Sequence, residues 1–401
     1  MLKEISFLVM ALLTFWACEK NETSSFSYSK ENAKTYEKKV KLVDEGEVYF
    51  SVDSSVSIDF GEIKYLETER KSYLTIFDPT TPILHVYDYE NREKINTIIF
   101  PLQGPDGVGG NTSGMGHLMY SIDTIIIYNI WTKNLFLFNA KGKKLMTIGL
   151  PEPEDVYFSG RLADSPPFRV GNHIVIPNTY QGVKGEMLIQ SQKIPAFLVV
   201  NIDNQEISFI GKRSKVYDAG YNVAGDNSFN FGTFNPKDNS IVYSFRQDHN
   251  VYKTDIAGNN ESMHFVGSEY FEELPALEAD FNKGFEYENN GNERERIRQY
   301  ILMNPKYDAI KYDRWNNVYY RFAFLPRTLE SYSAAPYRLH PSIIIADENF
   351  NKIGETIIDA RGYHSVAKLG DAFVTREGLC IPWRNNSEDV LTLKVFKVKA
   401  L

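Results

Sequence analysis

Cysteine is almost missing from this chain: only Cys18 and Cys380 occur among 401 residues. That excludes a disulfide framework and a Cys-rich metal site. An excess of positive charge is missing too, since the formal net charge is −8. Nucleic-acid binding would need a local basic stripe, and none is present. Long apolar runs are also lacking. The longest, Ile5 to Trp16, covers twelve residues broken by Ser6 and Thr14. It is too short to span a bilayer. The seven histidines (His85, His117, His173, His249, His264, His340 and His364) form no HExxH and no pair at helical spacing. No local zinc site is therefore written in the sequence. No Gly-x-Ser-x-Gly elbow occurs either. No catalytic residue, metal or cofactor is expected from motifs.

What is present is a repeat. Residues 124–139 (TIIIYNIWTKNLFLFN) read as a β-branched run, a short polar turn and a second apolar run ending in a turn residue. That is a hairpin. The pattern recurs at 73–88 and 240–255, and more loosely at 378–397. Copies at 173–203 and 317–347 carry a long insertion in the turn. Repetition at this spacing means a propeller-like array of similar units rather than separate domains. Flanking segments supply an inner and an outer strand to each hairpin; the fifth sheet, for example, takes 309–312, 318–324, 342–346 and 354–358. The sixth sheet lacks its outer strand. Two unassigned strand-like runs near the start, 38–43 and 48–52, offer a replacement. The fold expected is all-β: a six-bladed β-propeller over residues 38–401, with an N-terminal strand closing the last blade. Seven blades or an irregular β-sandwich are the alternatives. Closure of this kind leaves only short, protected sheet edges.

The connections are uneven. Turns joining first to second and third to fourth strands of each sheet are tight. Every long insertion belongs to the other two classes of connection, which emerge on the opposite face. Long loops gathered on one face of a rigid scaffold are where binding function concentrates. The longest insertion holds one predicted helix, from Asn292 to Met303, placed between blades four and five and stopped by Pro305. Its apolar face, Ile297, Tyr300 and Ile301, is expected to pack on the ring. The glycine-rich stretch at 103–110 lacks a Lys-Ser/Thr and a following helix, so it reads as a wide turn from rim to centre rather than a phosphate cradle.

The first residues are an address. Residues 1–17 read as a signal peptide. Its core ends Phe15-Trp16-Ala17-Cys18, which resembles a bacterial lipobox with Cys18 as the lipidated residue. Residues 18–37 are polar and poor in apolar side chains, the composition of a tether. Cys380 then has no partner and is expected to be a small buried hydrophobe. The second strands of the sheets end in a distinctive set: Trp131, Tyr180, Arg246, Arg321, Trp383 and Arg384. Aromatic and arginine side chains at one mouth of a ring can stack on and hydrogen-bond a ligand, and these six are the candidate binding residues. Asn129, Asn178 and Asp78 end strands where lactonase-type propellers hold calcium, although Asn and Asp are also the default turn residues there.

The lipobox-like Cys18, the polar tether, the stretch Pro101-Leu102-x-Gly104-Pro105-Asp106-Gly107-Val108-Gly109 and the later repeats together resemble one family. It comprises Gram-negative cell-envelope lipoproteins classed as a domain of unknown function and related to six-bladed, NHL/TolB-like β-propellers. The resemblance covers roughly residues 18–398. It implies an outer-membrane-anchored lipoprotein of the cell envelope. The function expected is a monomeric binding scaffold for a polymer, a peptide or an envelope protein on the long-loop face. A propeller hydrolase or lyase, lactonase-like or polysaccharide-acting, is the alternative, because the fold hosts both.

Overall fold

The computed structural model describes residues 36–401 except 57–60, 113, 130, 152–164, 179–194, 217–228, 276–290, 336–339, 360–365, 384–386 and 388. Cys18, Tyr180, Arg384, the signal peptide and most of the tether lie outside the described residues. Six four-stranded antiparallel sheets make up the ring. Blade one is β2 (Glu62–Glu67), β3 (Ser72–Asp78), β4 (Ile83–Asp88) and β5 (Glu93–Ile99). Blade two is β6 (Met115–Ser121), β7 (Thr124–Asn129), β8 (Asn134–Asn139) and β9 (Lys144–Gly149). Blade three is β10 (Phe168–Val170), β11 (His173–Pro177), β12 (Phe197–Asn201) and β13 (Ile207–Ile210). Blade four is β14 (Asn230–Asn235), β15 (Ser240–Phe245), β16 (Asn250–Asp255) and β17 (Ser262–Phe265). Blade five is β18 (Lys306–Asp313), β19 (Val318–Phe324), β20 (Pro341–Asp347) and β21 (Lys352–Ile357). Blade six joins β22 (Phe373–Thr375), β23 (Gly378–Trp383) and β24 (Val390–Ala400) to β1 (Val40–Ser51).

The middle strands of each blade are buried on both faces because each sheet packs on two neighbours. Ile125, Ile127, Phe136 and Phe138 face blade one, against Phe77 and Val86. Ile126, Tyr128, Leu135 and Leu137 face blade three, against Ile174 and Leu198. Branched and aromatic side chains suit this double burial. The turn residue that ends each hairpin copy has a specific task. The side chains of Asn139, Asp255 and Asp347 each accept two backbone N–H groups of the following turn, at 2.8 to 3.0 Å. Asn201, not Asp203, does this in blade three, taking the N–H of Asp203 at 2.9 Å. These Asx turns keep one face of the ring tight.

The closing strand is longer than either run expected from the sequence. β1 pairs with β24 from Val40↔Ala400 to Ser51↔Val390, with a bulge between Asp44 and Gly46. Both apolar runs belong to this strand. Gly46 adopts φ +112° and donates its N–H to Asp44 Oδ1 at 2.9 Å, so the polar residues between the runs form the bulge. β18 also starts earlier than expected, at Lys306, because a bulge between Tyr307 and Ile310 carries two extra residues.

Helix α1 (Gly291–Met303) lies in the connection from β17 to β18. That is between blades four and five when blades are counted from β2, and between five and six when the blade holding β1 is counted first. Its buried contacts are Tyr300 and Leu302, with Ile301 half-buried. A second short helix, α2 (Leu329–Ala334), packs on it from the β19–β20 connection, and Tyr332 donates to Glu295 at 2.8 Å.

Candidate functional site

The register fixes which side chains share the loop-bearing end of the ring. The inner strands β2, β6, β10, β14, β18 and β22 all start there, and the second strands end there. Glu62 pairs with Phe77, Met115 with Asn129, and Asn230 with Phe245. Polar residues at these inner starts form a buried network around the axis.

Its best-defined part joins blades one and two. Glu62 accepts the backbone N–H of His117 at 2.7 Å and the ring Nδ1–H at 2.8 Å on one oxygen. Its other oxygen takes the Tyr128 hydroxyl at 3.0 Å and Lys64 Nζ at 2.9 Å. Burial pushes the Glu62 carboxyl up, but the charge of Lys64 and the bonds from His117 outweigh it and hold it at about 2. Burial likewise draws His117 below its ordinary value, so the ring is neutral and its Nε2 accepts from Thr75 Oγ1 at 2.7 Å. Carboxylate, imidazole and hydroxyl follow the bond order of a nucleophilic triad. Thr75, however, is fully enclosed between two blades, so this chain of bonds braces the blades. Gly116 makes room for it: a Cβ there would lie 1.9 Å from Tyr128 Oη.

Blades five and six meet blade one on the axis. Lys311 of β18 donates to the carbonyl of Gly370 at 2.8 Å. Burial and the nearby Lys64 draw its ammonium down to about 8, against the pull of Asp371 and Asp308. Arg246 Nη2 lies 3.3 Å from Asp308 Oδ1, with the guanidinium 4.7 Å from the Phe229 ring centre. Three carboxylates (Glu62, Asp308, Asp371) thus balance three cations (Lys64, Lys311, Arg246) in this part of the ring.

The structure brings Arg246 and Arg321 together. Arg321 is 1% exposed and stacks 3.5 Å above the Tyr307 ring centre. Its Nη1 donates to the carbonyls of His249 at 2.6 Å and Val266 at 2.9 Å, and its Nη2 to those of Phe245 and Asp248. It clamps the inward-folded β15–β16 turn, whose Asp248 accepts the Ser214 hydroxyl, the Tyr252 hydroxyl and the N–H of Asn250. Burial, then the charge of Arg321, lowers His249 to about 3.

The remaining described candidates stand apart. Trp131 is 58% exposed in the β7–β8 turn of blade two. Trp383 ends β23 on blade six, under Lys394 Nζ at 4.1 Å. A cleft of about 360 Å³ on the rim, walled by Tyr36, Phe265, Phe350 and Lys352, is lined by none of them. Asn129 and Asp78 are turn locks: Asn129 takes the N–H of Trp131 at 3.0 Å, and Asp78 that of Thr80 at 2.7 Å. Asn178 differs. Its Oδ1 and that of Asn230, both fully buried, have no donor among the described residues. The two side chains meet at Ala196, whose carbonyl takes the N–H of Asn178 at 2.8 Å and Nδ2 of Asn230 at 2.7 Å. Cys380 is buried, and burial raises its thiol to about 11. Among the described residues no three His, Cys, Asp or Glu side chains gather as a metal would require.

Sequence reading pointed to the ends of the second strands and overlooked the starts of the inner ones, where Glu62, His117, Asn230 and Asp308 lie. The signal was available: polar residues open strands that are otherwise apolar.

Three comparisons bear on identity. No curated protein matches the chain. A solved structure of a DUF4221 family member from Bacteroides vulgatus superposes with a TM-score of 0.75 at 22% identity, over 91% of this chain and 100% of that one. A Bacteroides fragilis protein described as exported superposes with a TM-score of 0.51 at 12% identity, over 91% of this chain and 99% of that one. At these identities the likeness concerns fold. The family profile of DUF4221, a domain of unknown function, matches residues 39–357, and the chain belongs to that family.

Proposed function

We propose that this protein is a lipid-anchored lipoprotein of the cell envelope whose propeller is a binding scaffold, engaging a polymer, a peptide or a protein partner through its loop face. The observation that carries the reading is the asymmetry of the ring. The turn face is held by short Asx turns, whereas connections such as 266–305, 325–340 and 211–229 all leave the loop face. A rigid frame with variable loops on one side is the usual division of labour in recognition. The inner charges support a frame as well, because Glu62, Arg246 and Arg321 are engaged with internal partners. For the address, the support is Cys18 in its lipobox-like setting, and the Bacteroides fragilis neighbour is described as exported.

Two experiments test this. Photo-crosslinking residues placed in cells at Leu329, 61% exposed beside the loop face, and at Lys141 on the turn face should give adducts from the first position only. Adducts from Lys141 alone would overturn the loop-face reading. Cys18→Ser should move the protein from the membrane pellet to the soluble envelope fraction, since acyl chains supply the attachment. Unchanged pelleting would defeat the anchor.

A further inference from the structure

We infer that Trp131 and the glycine-rich loop beside it form a saccharide-binding platform on the loop face, which rests on the binding reading above and narrows its ligand. Trp131 is one of few large aromatic side chains left in solvent, at 58% exposure. Its backbone is held in place beforehand. The buried Asn129 side chain accepts the N–H groups of Trp131 at 3.0 Å and Thr132 at 3.3 Å. The same carboxamide donates to the carbonyls of Val108 at 3.0 Å and Asn111 at 3.2 Å. One side chain therefore ties the tryptophan turn to the glycine-rich loop. Lys133 completes the turn at φ +53°, and its carbonyl takes the N–H of Leu150 at 2.7 Å.

The loop is equally fixed. Val108 is buried and its N–H reaches the Pro101 carbonyl at 2.9 Å, while the Gly109 N–H reaches that of Leu102 at 3.1 Å. Gly109 sits at φ +96°, and a Cβ there would come within 2.8 Å of Thr132 Cγ2 and 3.2 Å of Asn129 Nδ2. Glycine thus lets the loop lie directly against the tryptophan turn. On the other side of this buried seam, Gln103, Gly104, Gly110 and Asn111 are exposed. An aromatic face standing on a preorganised backbone costs little ordering entropy on binding. Here it is bordered by peptide and carboxamide groups.

That combination fits a pyranose, whose C–H face is apolar and whose hydroxyl edge both donates and accepts hydrogen bonds. A protein hot spot would instead need a desolvating ring of apolar neighbours around the aromatic anchor. Leu102, 38% exposed, is the one large apolar neighbour exposed on this loop among the described residues.

The test is affinity gel electrophoresis of the full chain in mild detergent, with dextran, galactomannan or xyloglucan cast in the gel and a proline-rich peptide as the competing probe. At least one polysaccharide should retard the wild type. Trp131→Ala should weaken that retardation about tenfold, the worth of a good aromatic contact, while Trp131→Tyr keeps most of it. The melting temperature of Trp131→Ala should stay that of the parent, which separates loss of binding from loss of fold. Retardation by none of the three polysaccharides, equal retardation of Trp131→Ala, or dependence on Trp131 only with the peptide would each overturn the inference. If that happens while crosslinks at Leu329 persist, the loop-face reading survives and only the saccharide platform falls.

Discussion

Phe50 and Tyr49 are neighbours in the closing strand with opposite fates, which makes them a sharp test of the ring closure. Phe50 is fully buried, edge-on to Tyr87 at 5.9 Å between ring centres and tilted against Tyr89 at 5.7 Å. Tyr49 is half exposed, and its hydroxyl donates to Glu47 at 2.7 Å within the same strand. Phe50→Ala removes a whole ring from the seam between blades six and one. Core truncations of this kind cost about 3–5 kcal/mol through lost burial and the cavity left behind. Unfolding entropy scales with length at about 2.1 cal/mol/K per residue, which comes to roughly 0.8 kcal/mol/K for a chain of this size. A loss near 4 kcal/mol should therefore lower the midpoint by about 5 °C. Tyr49→Ala removes surface contacts only and should stay within about 0.5 kcal/mol, under roughly 1 °C. Differential scanning calorimetry of the two variants in parallel reads both. If Tyr49→Ala melts as early as Phe50→Ala, or neither moves, the strand does not close the ring in this register.

Arg321→Met should cost about 3–5 kcal/mol, because it strips a charged donor from buried carbonyls of the β15–β16 turn; denaturant titration will show it, and a loss under about 1 kcal/mol would refute the clamp. Gly116→Ala should destabilise by more than about 2 kcal/mol, since the new methyl takes the place of the Tyr128 hydroxyl on its way to Glu62; a parent-like melting curve would refute this. Stability should fall as pH drops from 7 to 5. His117 and His249 are held neutral in the fold, by burial first, so below about 6.5 the unfolded chain binds protons that the folded chain refuses. Each such group contributes up to about 1.4 kcal/mol per pH unit. A midpoint that is flat over that range would contradict it, and His249→Gln should make the dependence shallower.

Much of the fold could be read locally. The copies at 73–88, 124–139 and 240–255 announce themselves because strand, turn and Asx lock lie within sixteen residues. Asp88, Asn139 and Asp255 end the hairpins for a physical reason that survives without tertiary context. The bulges were not legible. β18 begins at Lys306 because the Tyr307–Ile310 irregularity carries Asp308 toward Arg246, and that demand comes from another blade. The centre of the ring was illegible for the same reason. Glu62 meets His117 across 55 positions and Tyr128 across 66, so no window of sequence contains the arrangement. Arg321 shows the limit most clearly. A strand arginine near an aromatic reads as a ligand contact until the β15–β16 turn is seen folded beneath it, with its carbonyls aimed at the guanidinium. Trp131 was legible in kind but not in setting, because the Asn129 lock depends on a loop that starts before the preceding strand.

The seam between β1 and β24 also sets a timetable. Val40 is among the first ordered residues to be synthesised, and its partner Ala400 is the penultimate residue of the chain. While the ribosome works, the opening strand has nothing to pair with, and its buried side chains, Leu42, Val48 and Phe50, stay uncovered. Blades one to five can collapse in turn as they emerge, because each is contiguous in the chain. The circle itself closes only after release. During that interval the exposed strand is a target for chaperones and proteases in whichever compartment holds it. Once it docks, opening the ring requires the whole eleven-pair ladder to peel away. Such molecules are late to mature and slow to come apart, so persistence after folding should be governed by an unfolding rate rather than by an equilibrium constant.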